Sequence, residues 1–243
     1  TTRQTIFMKP KNSRCMSKYR YICALCLLLC SMAVSAQTYE RVLRGNLWND
    51  SQNITGVRQD TVSRSYAELF AGYEGGEFRD PSQARQGWSA GAVTASIRHL
   101  EKMTLKGSFS FVQTEGYDMC GSMSIHPGFY PVDVLEFTPG RKTLQTYAFD
   151  GGISYDVAPN WRIGAMMDFE AANMAKRKDL RHDNWWLDMT VSPGLMYHTG
   201  DFAVGMNYIF RKTSETINAE QVGTSESSYY AFLDKGMMYG VYA

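Results

Sequence analysis

The chain has 243 residues, of which 44% are hydrophobic and 13% aromatic, with 21 glycines and only 7 prolines. This composition excludes collagen-like and low-complexity disordered chains, and a net charge of +1 gives no reason to expect a nucleic-acid partner. The charge is unevenly distributed, because residues 1–36 contain six basic residues and no acidic one. The remainder has 19 basic against 24 acidic residues, a net charge of −5.

The N-terminal segment at residues 16–36 has the three parts of a secretory signal peptide. Lys18 and Arg20 precede a short apolar run, which ends in small residues. The run is shorter than the ~20 residues that a membrane-spanning helix needs. We therefore predict export with cleavage after Ala36, and residues 1–15 are predicted to lie upstream of the true start.

Residues 37–63 are polar and show no clear period. Two interpretations stay open for them, a periplasmic tail and a plug inside the fold. The predicted mature chain contains one cysteine, Cys120, so no internal disulfide is expected in spite of export.

From residue 64 to residue 243, apolar and polar residues alternate with a period of two, which predicts β-strands. The alternation is clearest in the runs 103–111, 147–157, 161–170, 185–197 and 202–210, and is less regular near 64–74 and 87–99. The runs are longer than the 5–6 residues typical of soluble strands and match the roughly 9–11 tilted residues that cross a bilayer. One face of each run is apolar and the other is small and polar, as in a wall between lipid and water.

The connections and the aromatic residues favour the same interpretation. Short connections are predicted near 100–102, 158–160 and 199–201, and long ones at 75–86, 116–143, 173–183 and 214–235. Outer-membrane barrels alternate short periplasmic turns with longer extracellular loops. Aromatic residues are expected to form two girdles, one near the short turns (Tyr155, Trp161, Tyr197, Phe202) and one near the long loops (Tyr147, Phe169, Trp185, Phe210).

The predicted fold is an all-β, transmembrane, antiparallel up-and-down β-barrel occupying residues 64–243. Seven strands are complete, and an eighth is predicted to begin at Gly236. A barrel must close, so the chain is interpreted as the N-terminal half of a larger barrel, with a small complete barrel as the alternative. A soluble antiparallel sandwich in a secreted protein is the competing fold.

A family resemblance rests on three features: the start Gln37–Thr38, the stretch Asn-Leu-Trp-Asn-Asp-Ser-Gln-Asn at 46–53, and the hairpins rich in glycine and aromatic residues. Together they resemble a poorly characterised outer-membrane β-barrel family of Bacteroidota. The resemblance covers most of residues 37–243. It implies a barrel about twice this long and no catalytic residues.

Five acidic residues are predicted on the inward face, where Lys106 and Arg162 are the expected bases: Glu68, Asp150, Asp168, Glu170 and Asp188. A symmetric loop at 173–183 would place Asp168 opposite Asp188, an unfavourable pair unless water, a cation or a shared proton relieves it. The patch of Asp150, Asp168, Glu170 and Asp188 is interpreted as the wall of a cation-preferring passage or as a solvated wall. A carboxylate hydrolase using Asp168, Asp188 and His182 is a third interpretation.

Two other regions are candidates for contacts outside the barrel. Lys176, Arg177, Lys178 and Arg181 are predicted at an outer loop, where clustered cations could contact lipopolysaccharide phosphates. The apolar loop predicted at 116–143 either folds inward as a constriction or contacts a partner.

The sequence thus predicts a non-enzymatic outer-membrane protein that passes or binds small solutes through a polar, mildly acidic lumen. The alternative is a structural barrel that binds another surface protein through its extracellular loops. The expected partners are outer-membrane lipid, lipopolysaccharide, and small solutes or a surface protein. No nucleic acid, metal or cofactor is expected, since no phosphate-binding, redox or metal-ligand spacing appears in the predicted mature chain.

Overall fold

The computed structural model describes residue 48 and residues 51–59, 62–80, 82–223, 229–234 and 240–242. The predicted signal peptide and the residues before it lie outside this set. Among the described residues, no helix is long and apolar enough to cross a membrane.

Most of the described chain, 74%, is β-strand. A 3₁₀ helix at Ile54–Gln59 comes first. The strands that follow are β1 (Arg64–Gly75), β2 (Gln86–His99), β3 (Met103–Ser122), β4 (Val132–Ala158), β5 (Trp161–Lys176), β6 (Arg181–Thr199), β7 (Phe202–Asn207), β8 (Phe210–Glu220), β9 (Tyr229–Asp234) and β10 (Gly240–Tyr242).

The strands form one antiparallel sheet in which neighbours in sequence are neighbours in space from β1 to β7. β7 and β8 both pair with β6, at its two ends, and act as one strand interrupted at Tyr208 and Ile209. β9 pairs with the first residues of β4 and with β10. The all-β, up-and-down prediction is confirmed at this level. Within the described strands no pairing joins β1 to β7 or β8, so the sheet is open rather than closed into a barrel.

The seven predicted runs are strands, apart from a break at residues 208–209 in the last run, and several strands extend further than predicted. The predicted loops 116–143 and 173–183 are mostly strand, and the actual connections are residues 123–131 and 177–180. Likewise β8 and β9 occupy part of the predicted loop 214–235. At the start of β6, Arg-His-Asp-Asn is polar on both faces, so the period of two disappears there while the backbone stays extended and paired. The first residues of β4 and the whole of β9 are rich in apolar residues, and they pair with each other.

The two faces of the sheet differ in what covers them. The outer face exposes its apolar residues, among them Phe109, Tyr147, Phe149, Ile153, Trp161, Ile163 and Met206. The inner face is covered in part by two segments, which we call the inner segment (residues 51–59) and the inner loop (residues 123–131). The core therefore lies on the inner face, in one cluster of Ile54, Val57, Ile97 and Met166 and another of Ile125, Ala172, Met174 and Trp186.

Candidate functional site

The predicted acidic patch lies on the inner face, on three neighbouring strands. Asp150 on β4 is directly opposite Asp168 on β5, and Glu170 on β5 is directly opposite Asp188 on β6. The prediction that Asp168 faces Asp188 is wrong, because Asp168 pairs with Thr190. The hairpin between β5 and β6 is centred on residue 179, whereas the prediction placed its centre at residue 178. Moving the centre by one residue shifts each cross-strand pair by two residues, so every side chain stays on its predicted face.

Each carboxylate of the patch except Asp168 has a basic partner. Lys106 Nζ lies 3.5 Å from Asp150 Oδ1. His126 Nε2, from the inner loop, lies 3.1 Å from Glu170 Oε1.

Asp188 receives two hydrogen bonds from Arg211, at 3.0 Å and 2.5 Å. Sequence reasoning missed Arg211, although its position one residue after Phe210 in an alternating run places it on the inner face. Arg162, expected near the patch, instead donates to Asp156 near the short turn, at 2.9 Å.

The patch lines a cavity of about 230 Å³ between the two covering segments, with Ser108 and Thr190 in its wall. Phe129 of the inner loop lies over Arg211, with 5.8 Å between the guanidinium carbon and the ring centre. His182 is not part of this site, since it lies six residues from Asp188 along β6, roughly 20 Å for an extended strand. The described geometry therefore does not assemble the hydrolase site considered from the sequence.

The inner segment fills the inner face near the short turns. Asn53 donates to the carbonyls of Leu195 and Met206, at 3.4 Å and 3.2 Å, and accepts from Thr55. Four glycines on adjacent strands make room for it: a Cβ on Gly152 or Gly164 would meet Ile54, and a Cβ on Gly194 or Gly205 would meet Asn53.

Arg58 fixes the far end of the inner segment. Its Nε lies 2.6 Å from Asp156 Oδ2, and its guanidinium donates to the carbonyls of Leu100 and Glu101. Residues 51–59 are thus anchored to the sheet, as the plug interpretation of residues 37–63 expects for this part of the segment.

A buried ionic cluster lies above the patch, toward the long connections. Lys176 Nζ contacts Glu136 Oε2 and the carbonyl of Thr138, both at 2.5 Å, and Lys142 Nζ lies 3.7 Å from Glu136 Oε1. All three ionic side chains are at most 3% exposed. The prediction that Lys176 belongs to a surface cluster is wrong, because its ammonium turns inward to neutralise a buried carboxylate. Burial, opposed by Glu136, lowers the pKa of Lys142.

Polar side chains of this upper region hold the inner loop and its edges. Lys142 donates to the carbonyl of Ser122 at 2.8 Å, and Asn184 donates to the carbonyl of Met123. Glu215 accepts from the amide of Ile125 at 2.7 Å. The loop predicted at 116–143 thus contains a shorter loop that folds onto the inner face.

Aromatic packing completes the attachment of the inner loop. Trp186 contacts His126, Phe129 and Tyr130, with ring centres 4.6, 4.8 and 6.0 Å away. Trp186 is itself 4% exposed, so these contacts cover most of its surface.

The other predicted cations face outward or pair locally. Arg181 Nε donates to Asp179 at 3.0 Å. Arg177 and Lys178 lie with Arg141 beside a groove of about 720 Å³ on the outer face. Among the described residues, no group of three or more His, Cys, Asp or Glu side chains could hold a metal ion.

Comparison with known proteins gives one match. No curated protein and no solved structure matches the chain. A family model described as "Family of unknown function (DUF6850)" matches residues 54–241, which run from the start of the 3₁₀ helix into β10. The match covers more than half of the chain and nearly all of the described sheet. The chain therefore belongs to DUF6850, a family of unknown function.

Proposed function

We propose that this protein is a non-enzymatic β-barrel protein of a bacterial outer membrane, reached by export through the periplasm, and that its described sheet is part of the barrel wall. The resemblance to a Bacteroidota barrel family suggests the group of bacteria. The observation that carries the proposal is the outer face of β3 to β6, where an apolar band gives way to polar residues on β3 to β5. The flanking strands β2 and β8 place Arg98 and Lys212 in outward rows of this band.

The upper edge of the apolar band on β3, β4 and β5 lies between two neighbouring rows of paired residues. Phe111, Tyr147, Ala171 and Leu187 lie in one row of paired residues facing outward. In the next outward row, Gln113, Gln145 and Asn173 are polar, with Gln145 donating to Gln113 at 3.4 Å, and β6 contributes the aromatic Trp185. A single step of two residues therefore takes three strands from apolar to polar.

The lower edge is an aromatic row at the short turns. Trp161 and Tyr197 are paired there, with ring centres 5.0 Å apart. From Trp161 to Ala171 the band spans ten residue steps. Ten steps on strands tilted by ~40° rise about 26 Å, close to the ~25 Å apolar band of outer-membrane barrels. A soluble sandwich would bury such a face against a second sheet, and the described strands provide none.

The orientation follows from the connections. The short turns lie at the periplasmic side, and the strands continue about five residues or more beyond the band on the other side, ending in the inner loop and the longer connections. The buried ionic cluster then lies outside the bilayer.

Solute binding or limited passage is the role that the inner face supports best. The inner segment covers it at the periplasmic end and the inner loop covers it at the outer end, which leaves the acidic cavity between them. Because Asp168 has no basic partner among the described residues, the cavity keeps negative charge, which favours small cationic solutes. A large open pore is disfavoured by both covering segments.

The membrane location is tested with two substitutions on the outer face of β4. Ile153 is 43% exposed and near mid-height of the band, so we expect Ile153→Arg to destabilise vesicle-inserted protein by about 2–4 kcal/mol. Gln145→Arg, on the same strand and face but above the band, should change stability by less than about 1 kcal/mol. Urea unfolding in lipid vesicles measures both. A protein that stays monomeric without detergent and tolerates Ile153→Arg would contradict the proposal.

Solute passage is tested by conductance across planar bilayers. We expect a small, cation-selective conductance that Asp150→Asn reduces, while Asp201→Asn in the short turn leaves it unchanged. A large unselective conductance would contradict the covering role of the two segments. An inserted protein with no conductance and no effect of Asp150→Asn would favour the alternative, a barrel that binds a surface partner through its loops.

A further inference from the structure

The outer face carries a basic groove directly above the apolar band. Its volume is about 720 Å³, and its charged lining consists of Arg141, Arg177, Lys178 and Glu115. The groove lies on the lipid-facing side of the sheet rather than on the inner face, since these strand residues continue the outward rows of Gln113 and Gln145. It is therefore separate from the acidic cavity.

The charge of the groove is positive after its internal pair is counted. Glu115 is 4% exposed and is occupied by Arg141 and by the hydroxyl of Tyr117, at 3.0 Å. Arg177 has no ion pair or hydrogen bond within the described part of the chain. Lys178 donates one hydrogen bond to the carbonyl of Pro139, at 2.8 Å, which fixes its ammonium and leaves two N–H donors. Arg177 and Lys178 thus add two positive charges that no carboxylate of the lining pairs with, while Asp183 beside the groove accepts from Asn173 at 2.9 Å.

The height of the groove decides which anion it suits. Its floor, at Gln145 and Asn173, is two residues above the apolar band, and Arg141 is six residues above Tyr147. On tilted strands these steps correspond to about 5 Å and about 15 Å. The phosphate of an ordinary glycerophospholipid lies at the lower end of this range. Phosphates on a sugar headgroup that projects further from the membrane reach the guanidinium and ammonium groups.

We propose that Arg177 and Lys178, with Arg141 beside them, bind phosphate groups on the sugar headgroup of an outer-leaflet glycolipid of the lipopolysaccharide type. This inference rests on the proposed membrane location. It changes the predicted contact set, because Lys176 is buried against Glu136, Arg181 is held by Asp179, and Arg141 is added from the neighbouring strand. Arg side chains can bind phosphate through paired N–H donors, and Lys adds a point charge.

The test is direct binding by the full chain in detergent. The probes are lipopolysaccharide, the same lipopolysaccharide after enzymatic dephosphorylation, and its deacylated, phosphorylated oligosaccharide. The variant is Arg177→Gln/Lys178→Gln, which leaves the Arg141–Glu115 pair intact. The control is Arg98→Gln/Lys102→Gln, an equal loss of charge below the groove, with Lys102 in a short turn and Arg98 in the outward row of Ile153.

We expect the groove variant to bind phosphorylated lipopolysaccharide about thirtyfold more weakly, at roughly a factor of five for each basic residue near an anionic surface. The control should bind as the wild type does, and dephosphorylation should weaken wild-type binding by a similar factor. Equal binding by the variant and the control would overturn the proposal. So would equal binding of phosphorylated and dephosphorylated probes, or full competition by millimolar inorganic phosphate.

Two arms separate this inference from the membrane proposal. Protease protection in vesicles measures insertion, and the deacylated oligosaccharide measures phosphate recognition without a membrane. Insertion with no loss of binding in the groove variant refutes the groove alone. Oligosaccharide binding that depends on Arg177 and Lys178, in a protein that does not insert, supports the groove and refutes the membrane location.

Discussion

His182 is expected to make the stability of the upper sheet depend on pH. The side chain is 3% exposed and lies above the proposed membrane band. Its Nδ1 faces Asn184 Oδ1 at 2.8 Å, and Lys176 is directly opposite on β5. Burial, followed by the nearby Lys142 charge, lowers the pKa of His182 from 6.5 to about 4, although Asn184 opposes the shift.

The sign and size of the effect follow from proton linkage. Between pH 6.5 and about 4 the unfolded chain binds a proton at this histidine and the folded chain does not, so folded protein loses stability as the pH falls through this range. The total is about 3 kcal/mol, at 1.36 kcal/mol for each unit of pKa difference. About 2 kcal/mol of it is lost between pH 7 and pH 5, since the unfolded histidine is then almost fully protonated.

The measurement is equilibrium urea unfolding in one detergent at pH 7 and pH 5. His182→Gln should remove about 2 kcal/mol of the difference between the two pH values that the wild type shows. His198→Gln, at the other end of the same strand, should retain the wild-type difference. Carboxylates contribute to the pH dependence of all three proteins and cancel in the comparison. An unchanged difference in His182→Gln would refute the reasoning.

Two further substitutions test the covering of the inner face and the buried ionic cluster. The three atoms nearest to a Cβ on Gly194 would all belong to the Asn53 side chain, so Gly194→Leu should displace the inner segment and expose it to trypsin; unchanged protection would show that the segment does not depend on this contact. Glu136→Gln should lower the free energy of unfolding by about 3–5 kcal/mol, because Lys176 is left buried without its carboxylate. The exposed pair at Glu77 provides the control, and Glu77→Gln should cost less than about 1 kcal/mol in the same urea titration.

The strands could be predicted where one face is apolar and the other polar. In β5, Trp161, Ile163, Met167 and Phe169 alternate with small or charged residues, and the strand begins where the pattern begins. Above Phe169 the pattern fails, because the outward positions become small or polar while the inward positions Ala172 and Met174 join the core. A period of hydrophobicity reports a difference between two environments, and it is lost where the apolar residues change from one face to the other although the hydrogen bonds continue.

The acidic patch could be placed on its face from the sequence, but its pairing needed the position of each turn. A turn centred on Pro159 places Asp150 opposite Asp168, and this was available from the short connection at 158–160. The longer connection after β5 could not be centred, because its end was hidden by the polar extension. Arg211 pairs with Asp188 and His126 pairs with Glu170. These partners could not be predicted from the sequence near each carboxylate, because the positions of β8 and the inner loop depend on the rest of the fold.

The small residues of the inner face show why a polar wall and a covered wall look alike in sequence. Gly152, Gly164, Gly194 and Gly205 leave the face smooth, which suits water and equally suits a packed chain segment. At the level of these four glycines the face is covered by the protein's own chain, because Ile54 and Asn53 occupy the space that the glycines leave. Above that height the inward positions become acidic, and no chain segment of the described residues fills the cavity there. The change from glycine to carboxylate along the same strands therefore separates the part of the face that the inner segment fills from the part where Asp150 and Asp168 line the cavity.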